Sequence, residues 1–169
     1  MKRIIYMVFM NLFHAPVWLL KIACMARPGD NHTMQQRYDY IAEMTRRIIK
    51  RGRVTIKVTG VEHIPEKDGF MLFPNHQGLF DVLALFSTCP KALSVVIKKE
   101  ASGWILVKQV LGATGSLAMD RKDMKDQVRI IGEVTRLVKE GRNFVIFAEG
   151  HRSRKGNEIL DFKSGTFKS

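Results

Sequence analysis

The stretch Phe70-Met71-Leu72-Phe73-Pro74-Asn75-His76-Gln77-Gly78-Leu79-Phe80-Asp81 decides the fold. Phe70 to Phe73 is a short, fully apolar run, which reads as a buried strand. Pro74 closes it, because proline lacks the N–H that a ladder needs. A polar, glycine-containing loop follows, and Leu79 to Ser87 reads as a helix. A buried strand that opens through a loop into a helix is the repeating unit of an α/β domain.

The same alternation continues downstream. Leu93 to Ile97 is a second apolar strand, Trp104 to Leu111 a helix and Ser116 to Met119 a strand. Met124 to Glu140 is a helix stopped by Gly141 at the C′ position, and Phe144 to Phe147 is the last strand. Upstream, Val54, Ile56 and Val58 alternate with polar residues as in a half-buried strand ending at Gly60. The expected fold class is therefore α/β, a mixed sheet flanked by helices, over residues 54–169.

Two segments precede it. Residues 1–30 hold an almost unbroken apolar run from Ile4 to Leu20. As one helix it would be roughly 25 Å long, slightly short of the ~30 Å hydrocarbon layer of a bilayer. Asn11, His14 and Pro16 interrupt it, and basic residues flank both ends, so charge sets no orientation. A monotopic or re-entrant membrane segment fits this pattern, the other reading being a helix packed on the domain's own core. Arg27-Pro28-Gly29-Asp30 is a break, with Asp30 or Asn31 available as a cap. Residues 31–53 then form an amphipathic basic helix. Met34, Tyr38, Ile41, Thr45 and Ile48 line one face, and Arg37, Arg46, Arg47, Lys50 and Arg51 supply the rest, suited to anionic headgroups or to solvent.

The chain has 169 residues, enough for one domain with a real core, and a formal net charge of +12, which attracts polyanions. Neither GxGxxG nor GxxxxGK[ST] occurs, nor does a GxSxG nucleophile elbow. No nucleic-acid motif is present, and the basic residues are not interleaved with aromatics for stacking, so a nucleic-acid partner is not expected. Cys24 and Cys89 lie far apart and outside any metal-binding pattern, and read as reduced thiols facing the cytosol. The N-terminus shows no signal-peptide cleavage pattern and is expected to be retained.

His76 and Asp81 span the strand-to-helix turn, beyond the carboxyl end of a strand, where ligands of open α/β sheets bind. Five positions apart across such a turn, the carboxylate can hold one ring N–H and leave the other nitrogen as a base. A capping aspartate beside a loop histidine is the plainer reading of this pair alone.

Further blocks occur in order. Asn75-His76 through Asp81 resembles the NHx₄D motif of the glycerophospholipid acyltransferase family, which includes the 1-acylglycerol-3-phosphate acyltransferases. Gly115-Ser116-Leu117-Ala118-Met119-Asp120-Arg121 resembles its second block, a strand ending in arginine. Phe147-Ala148-Glu149-Gly150-His151-Arg152-Ser153 resembles the third, FPEGTRS. Phe162-Lys163-Ser164-Gly165-Thr166-Phe167 is similar to the FKxGxF stretch that follows, and Lys98-Lys99-Glu100 to a basic patch between the first two blocks.

The resemblance covers residues 54 to the end and implies a glycerolipid acyltransferase-like fold preceded by membrane-associated helices. It further implies transfer of an acyl group from acyl-CoA or acyl-ACP to the sn-2 hydroxyl of lysophosphatidic acid. His76 would be the general base oriented by Asp81, with Arg121, Glu149, Gly150 and Arg152 at the substrate phosphate. Two guanidinium forks suit bidentate phosphate binding. Lys98 and Lys99 would meet the acyl donor or the membrane, surface salt bridges being the alternative. No cofactor and no metal are implied beyond the thioester substrate. The implied partners are an anionic membrane surface, a lysophospholipid and the acyl donor, and the implied location is the cytoplasmic face of the cell membrane. Within the family, glycerol 3-phosphate or another lysolipid is the alternative acceptor; outside it, the alternative is a non-catalytic basic peripheral protein. Ala148, His151 and Gly78 depart from the residues usual at those positions. The family pattern continues into a fourth, proline-containing block that this sequence lacks, so the chain is read as C-terminally truncated, the alternative being an unusually short protein.

Overall fold

A computed structural model describes residues 2–78, 80–149 and 161 of the chain. Its centre is a four-stranded sheet of β1 (Met71–Leu72), β2 (Leu93–Lys98), β3 (Leu117–Met119) and β4 (Asn143–Val145), in the order β1-β4-β2-β3. Every pairing is parallel: Leu72 lies opposite Val145, Val95 opposite Val145 and Val96 opposite Leu117. The α/β expectation holds, and among the described residues the sheet is parallel where a mixed one was expected. The reason is that each pair of successive strands is joined by a helix that returns the chain to the same starting edge.

Those helices are α4 (Phe80–Thr88), α5 (Ile105–Thr114) and α6 (Met124–Lys139). Strand alternation divides the core between two faces. On one, Leu93, Val95, Val145 and Phe147 pack with Phe86 of α4 and Ala113 of α5. On the other, Val96, Phe144 and Ile146 meet Ile130, Val134 and Leu137 of α6. The chain steps in one direction through α4 and α5 on the first face and returns through α6 on the second, as right-handed crossovers require. All four carboxyl ends of the strands therefore open on one edge of the sheet.

Three helices precede the sheet: α1 (Lys2–Asn11), α2 (Ala15–Met25) and α3 (Met34–Arg51). The run expected as one helix is two, bent by 81°. Asn11 Nδ2 donates to the Met7 carbonyl at 2.7 Å, and Pro16 sits in the first turn of α2. From α3, Arg51 fastens the bend by donating to Asn11 Oδ1 at 3.0 Å and lying 3.0 Å from His14 Nε2. Gly52, just past α3, lets Met7 come so close that a Cβ there would overlap its side chain.

The two N-terminal helices have one buried and one exposed apolar face. Trp18, Ile22 and Met25 are buried, the first two in the cluster that holds Val95 and Val145. Ile5, Phe9, Phe13, Val17 and Leu20 are exposed, Phe13 at 88 %. Among the described residues no single helix is long and apolar enough to cross a membrane, whereas the bent pair meets that length and composition together.

α3 starts at Thr33, not at Asp30 or Asn31. Thr33 Oγ1 accepts from Gln36 N at 3.2 Å while Gln36 Oε1 accepts from Thr33 N at 2.8 Å, a reciprocal cap worth about 1 kcal/mol. Asp30 instead accepts from His32 N at 2.9 Å, and that bond holds its carboxyl below the usual carboxylate range. α3 buries Tyr38, Ile41, Ala42, Met44, Thr45 and Ile49, with Arg46 and Arg47 exposed.

The alternating stretch Val54–Val58 is not part of the sheet. Its first residues line a groove of about 580 Å³ with Arg46, Ile49 and Lys50 of α3 and Ser87 and Thr88 of α4. Val54 and Ile56 are half-buried while Val58 is exposed, so partial burial of one side of an extended segment gives an alternation like that of a strand.

Candidate active site at the carboxyl edge of the sheet

β1 and β4 are neighbours, so the chain leaving each at its carboxyl end runs beside the other. Ile146 N donates to Leu72 O at 3.0 Å, and His76 and Glu149 lie beyond that point. His76 Nδ1 is 2.9 Å from Asp81 Oδ2. The same oxygen accepts the main-chain N–H groups of Gln77 at 2.8 Å and Gly78 at 2.9 Å. A carboxylate oxygen accepts, so the ring donates from Nδ1, and in the neutral ring the lone pair lies on Nε2. One carboxylate in the first turn of α4 thus holds both the ring and the main-chain N–H groups of the loop before the helix.

The ring is largely enclosed, with 14 % of the side chain exposed, and lies 4.2 Å centroid to centroid from Phe147 at 34°. Phe147 stands one element away from the loop, on the extension of β4, and its position in the third block is the only sequence signal for this contact. Glu149 is 0 % exposed, and its Oε1 accepts the His76 main-chain N–H at 2.9 Å. The loop thus has three consecutive main-chain donors, His76, Gln77 and Gly78, all ending on side-chain carboxyl groups.

Arg121 follows β3 at the far side of the same edge. Among the described residues β1 and β3 are the outer strands, three strand spacings apart, or roughly 14 Å. Half-burial of Arg121 pulls the guanidinium below its ordinary value, and the Glu100 carboxylate opposes that shift. Its main-chain carbonyl accepts from Gln127 Nε2 at 3.0 Å, which ties the turn after β3 to α6. Lys98 pairs with Glu100 at 2.9 Å and Lys99 with Asp120 at 3.4 Å, both at the surface. Gly150 and Arg152 of the third block, and the stretch from Phe162 to Phe167, lie outside the described residues. Among the described residues no cluster of three or more His, Cys, Asp or Glu side chains is arranged to hold a metal ion.

An edge with an oriented imidazole at one side and a partly desolvated guanidinium at the other can deprotonate a hydroxyl on a molecule whose anionic group is held some distance away. Comparison with known proteins points the same way. Residues 55–169 match the acyltransferase family model. The chain is 33% identical over 91 residues to a 1-acyl-sn-glycerol-3-phosphate acyltransferase of Helicobacter pylori, covering 54% of this chain and 38% of that protein. It is 29% identical over 115 residues to the protein of the same name in Borreliella burgdorferi, covering 68% and 46%. The chain thus spans less than half the length of these curated relatives. The crystal structure of the 1-acyl-sn-glycerophosphate (LPA) acyltransferase PlsC from Thermotoga maritima superposes with a TM-score of 0.72 at 20% identity, over 96% of this chain and 65% of that one. That superposition shows a shared fold.

Proposed function

The chain belongs to the acyltransferase family, and from that premise we propose that it transfers a fatty acyl group from a coenzyme A or acyl carrier protein thioester to the sn-2 hydroxyl of lysophosphatidic acid, giving phosphatidic acid. The observation that carries this reading is the 2.9 Å bond between His76 Nδ1 and Asp81 Oδ2 at the carboxyl edge of the sheet.

His76 Nε2 removes the proton from the acceptor hydroxyl as its oxygen attacks the thioester carbonyl carbon. Asp81 holds the ring and stabilises the imidazolium that forms. The tetrahedral intermediate collapses, the C–S bond breaks, and the leaving thiolate takes up the proton carried by the ring. A thiolate leaves readily, so the step uses no metal and no acyl-enzyme. Arg121, with Arg152, holds the acceptor phosphate and so aligns the hydroxyl with Nε2. The identity of the acceptor rests on the resemblance of motifs and on the names of the relatives.

The open apolar face of α1 and α2 supports docking of this pair into the cytoplasmic leaflet, where Phe9, Phe13, Val17 and Leu20 would leave water. Lysophosphatidic acid resides in such a surface, so the site would work on substrate presented by the bilayer. Replacing Phe9 and Phe13 by serine should release the protein from washed membranes into the soluble fraction; undiminished pelleting would place the anchor elsewhere.

The catalytic reading is tested by incubating membranes containing the protein with labelled acyl thioester and lysophosphatidic acid, for wild type and His76→Ala. Loss of the base lowers product formation by about 10²- to 10⁴-fold. Equal product from the two proteins defeats the proposal.

A further inference from the structure

Glu149 carries out a task that the motif resemblance does not describe. The residue is 0 % exposed, enclosed beneath the loop that bears His76. A carboxyl group so enclosed is out of reach of a lipid arriving from solvent. What it does touch is the main chain: Oε1 accepts the His76 N–H at 2.9 Å. β1 and β4 are paired through Leu72 and Val145, and Ile146 N donates to Leu72 O. The Glu149 side chain adds a tie between the two segments further along, at His76.

His76 is consequently held at two points by two different elements. Asp81, in the first turn of α4, holds the ring and the N–H groups of Gln77 and Gly78. Glu149, on the extension of β4, holds the main chain of His76 itself, and Phe147, two residues before it, lies against the ring. Asp81 fixes the ring and the two residues after His76, and the Glu149 bond fixes the main chain of His76 itself.

Resting on the reading of His76 as general base, we propose that Glu149 is a positioning residue for His76: it acts by accepting the His76 main-chain N–H, in place of direct contact with the acceptor. An acceptor atom at that spot, and not a negative charge, is what the role requires. Glutamine keeps such an atom; methionine fills the same volume without it and leaves a buried N–H unpaired.

The experiment compares wild type, Glu149→Met, Glu149→Gln and His76→Ala of the intact protein in membranes, measuring kcat and KM for lysophosphatidic acid and for the acyl thioester, with hydrogen exchange at the His76 amide. Glu149→Met lowers kcat by about 10²-fold, the scale expected when a catalytic group is displaced by about 1 Å, while both KM values stay within about twofold of wild type. Exchange at the His76 amide rises in this variant. Glu149→Gln keeps kcat within about threefold of wild type and keeps the amide protected. A raised acceptor KM with unchanged kcat in Glu149→Met overturns the proposal, as does Glu149→Gln losing activity to the level of His76→Ala. Should Glu149→Met not fold, Glu149→Gln decides by itself: near-wild-type kcat and KM uphold the proposal, and a raised acceptor KM defeats it. An active His76→Ala identifies the failure as that of the general-base reading.

Discussion

The two ends of the sheet each carry a polar cluster built from three elements, and the clusters are bonded in opposite ways. At the amino end, Arg142 Nη2 donates to Ser94 Oγ at 2.7 Å and to the carbonyls of Thr114 and Gly115 at 2.9 and 3.0 Å. Its acceptors are a hydroxyl and fixed main-chain oxygens, and Gly115, at φ +55°, leaves room for the guanidinium where a Cβ would collide with it. At the carboxyl end the central group is an imidazole, held at Nδ1 by a side-chain carboxylate. Burial pulls both Arg142 and Arg121 below their ordinary values, so desolvation alone does not distinguish the two ends. The distinction lies in what the polar atoms are committed to. A donor whose hydrogens end on backbone carbonyls clamps the fold, whereas a ring steered by a side-chain carboxylate keeps one site open.

Three substitutions sharpen that contrast. Asp81→Asn takes the orienting carboxylate from the ring and should lower kcat by about 10³- to 10⁴-fold, with folding retained, as read by turnover and circular dichroism. Activity within tenfold of wild type would mean that the ring needs no partner. Arg142→Met, at the other end, keeps the aliphatic bulk and strips donors from the Gly115 carbonyl and Ser94. It should cost about 2 kcal/mol in urea unfolding and leave kcat per folded molecule unchanged. A fall in kcat with unchanged stability would assign the amino end a part in the reaction.

The smallest effect is expected at Asp68, also at the amino end. Its Oδ1 accepts from Asn143 Nδ2 and lies near Lys91 Nζ, each at 3.1 Å, and these bonds hold its carboxyl below the ordinary 3.8. A carboxylate with a depressed folded value stabilises the fold above its unfolded value, and that contribution is lost as pH falls through the folded one. Asp68→Asn should therefore slightly flatten the acid side of the stability profile. A profile superimposable on wild type below the ordinary carboxylate value would show that these bonds persist equally in the unfolded chain.

Legibility in the sequence followed the range of the interaction. The strand from Phe70 to Phe73, its loop and the helix after it were readable because apolar runs, proline and glycine act on neighbouring residues. The pairing of His76 with Asp81 was readable for the same reason, five positions being a single turn. Val54–Val58 misled because alternation reports a buried side and is silent about what covers it. The 81° bend of α1 and α2 had local signs in Asn11, His14 and Pro16, but the residue that fastens it, Arg51, comes from α3. Glu149 was legible as a member of a motif, while its bond partner 73 positions away was not.

From the chain alone came the α/β class, the order of the main elements and the residues able to do acid–base chemistry, since periodicity and residue type depend on local backbone geometry and intrinsic chemistry. The tertiary structure decided which strands lie side by side, and through that, which side chains meet. Only the placement of β4 next to β1 brings Phe147 and Glu149 to His76, and such adjacency is set by how the whole core packs, a property that no segment carries by itself.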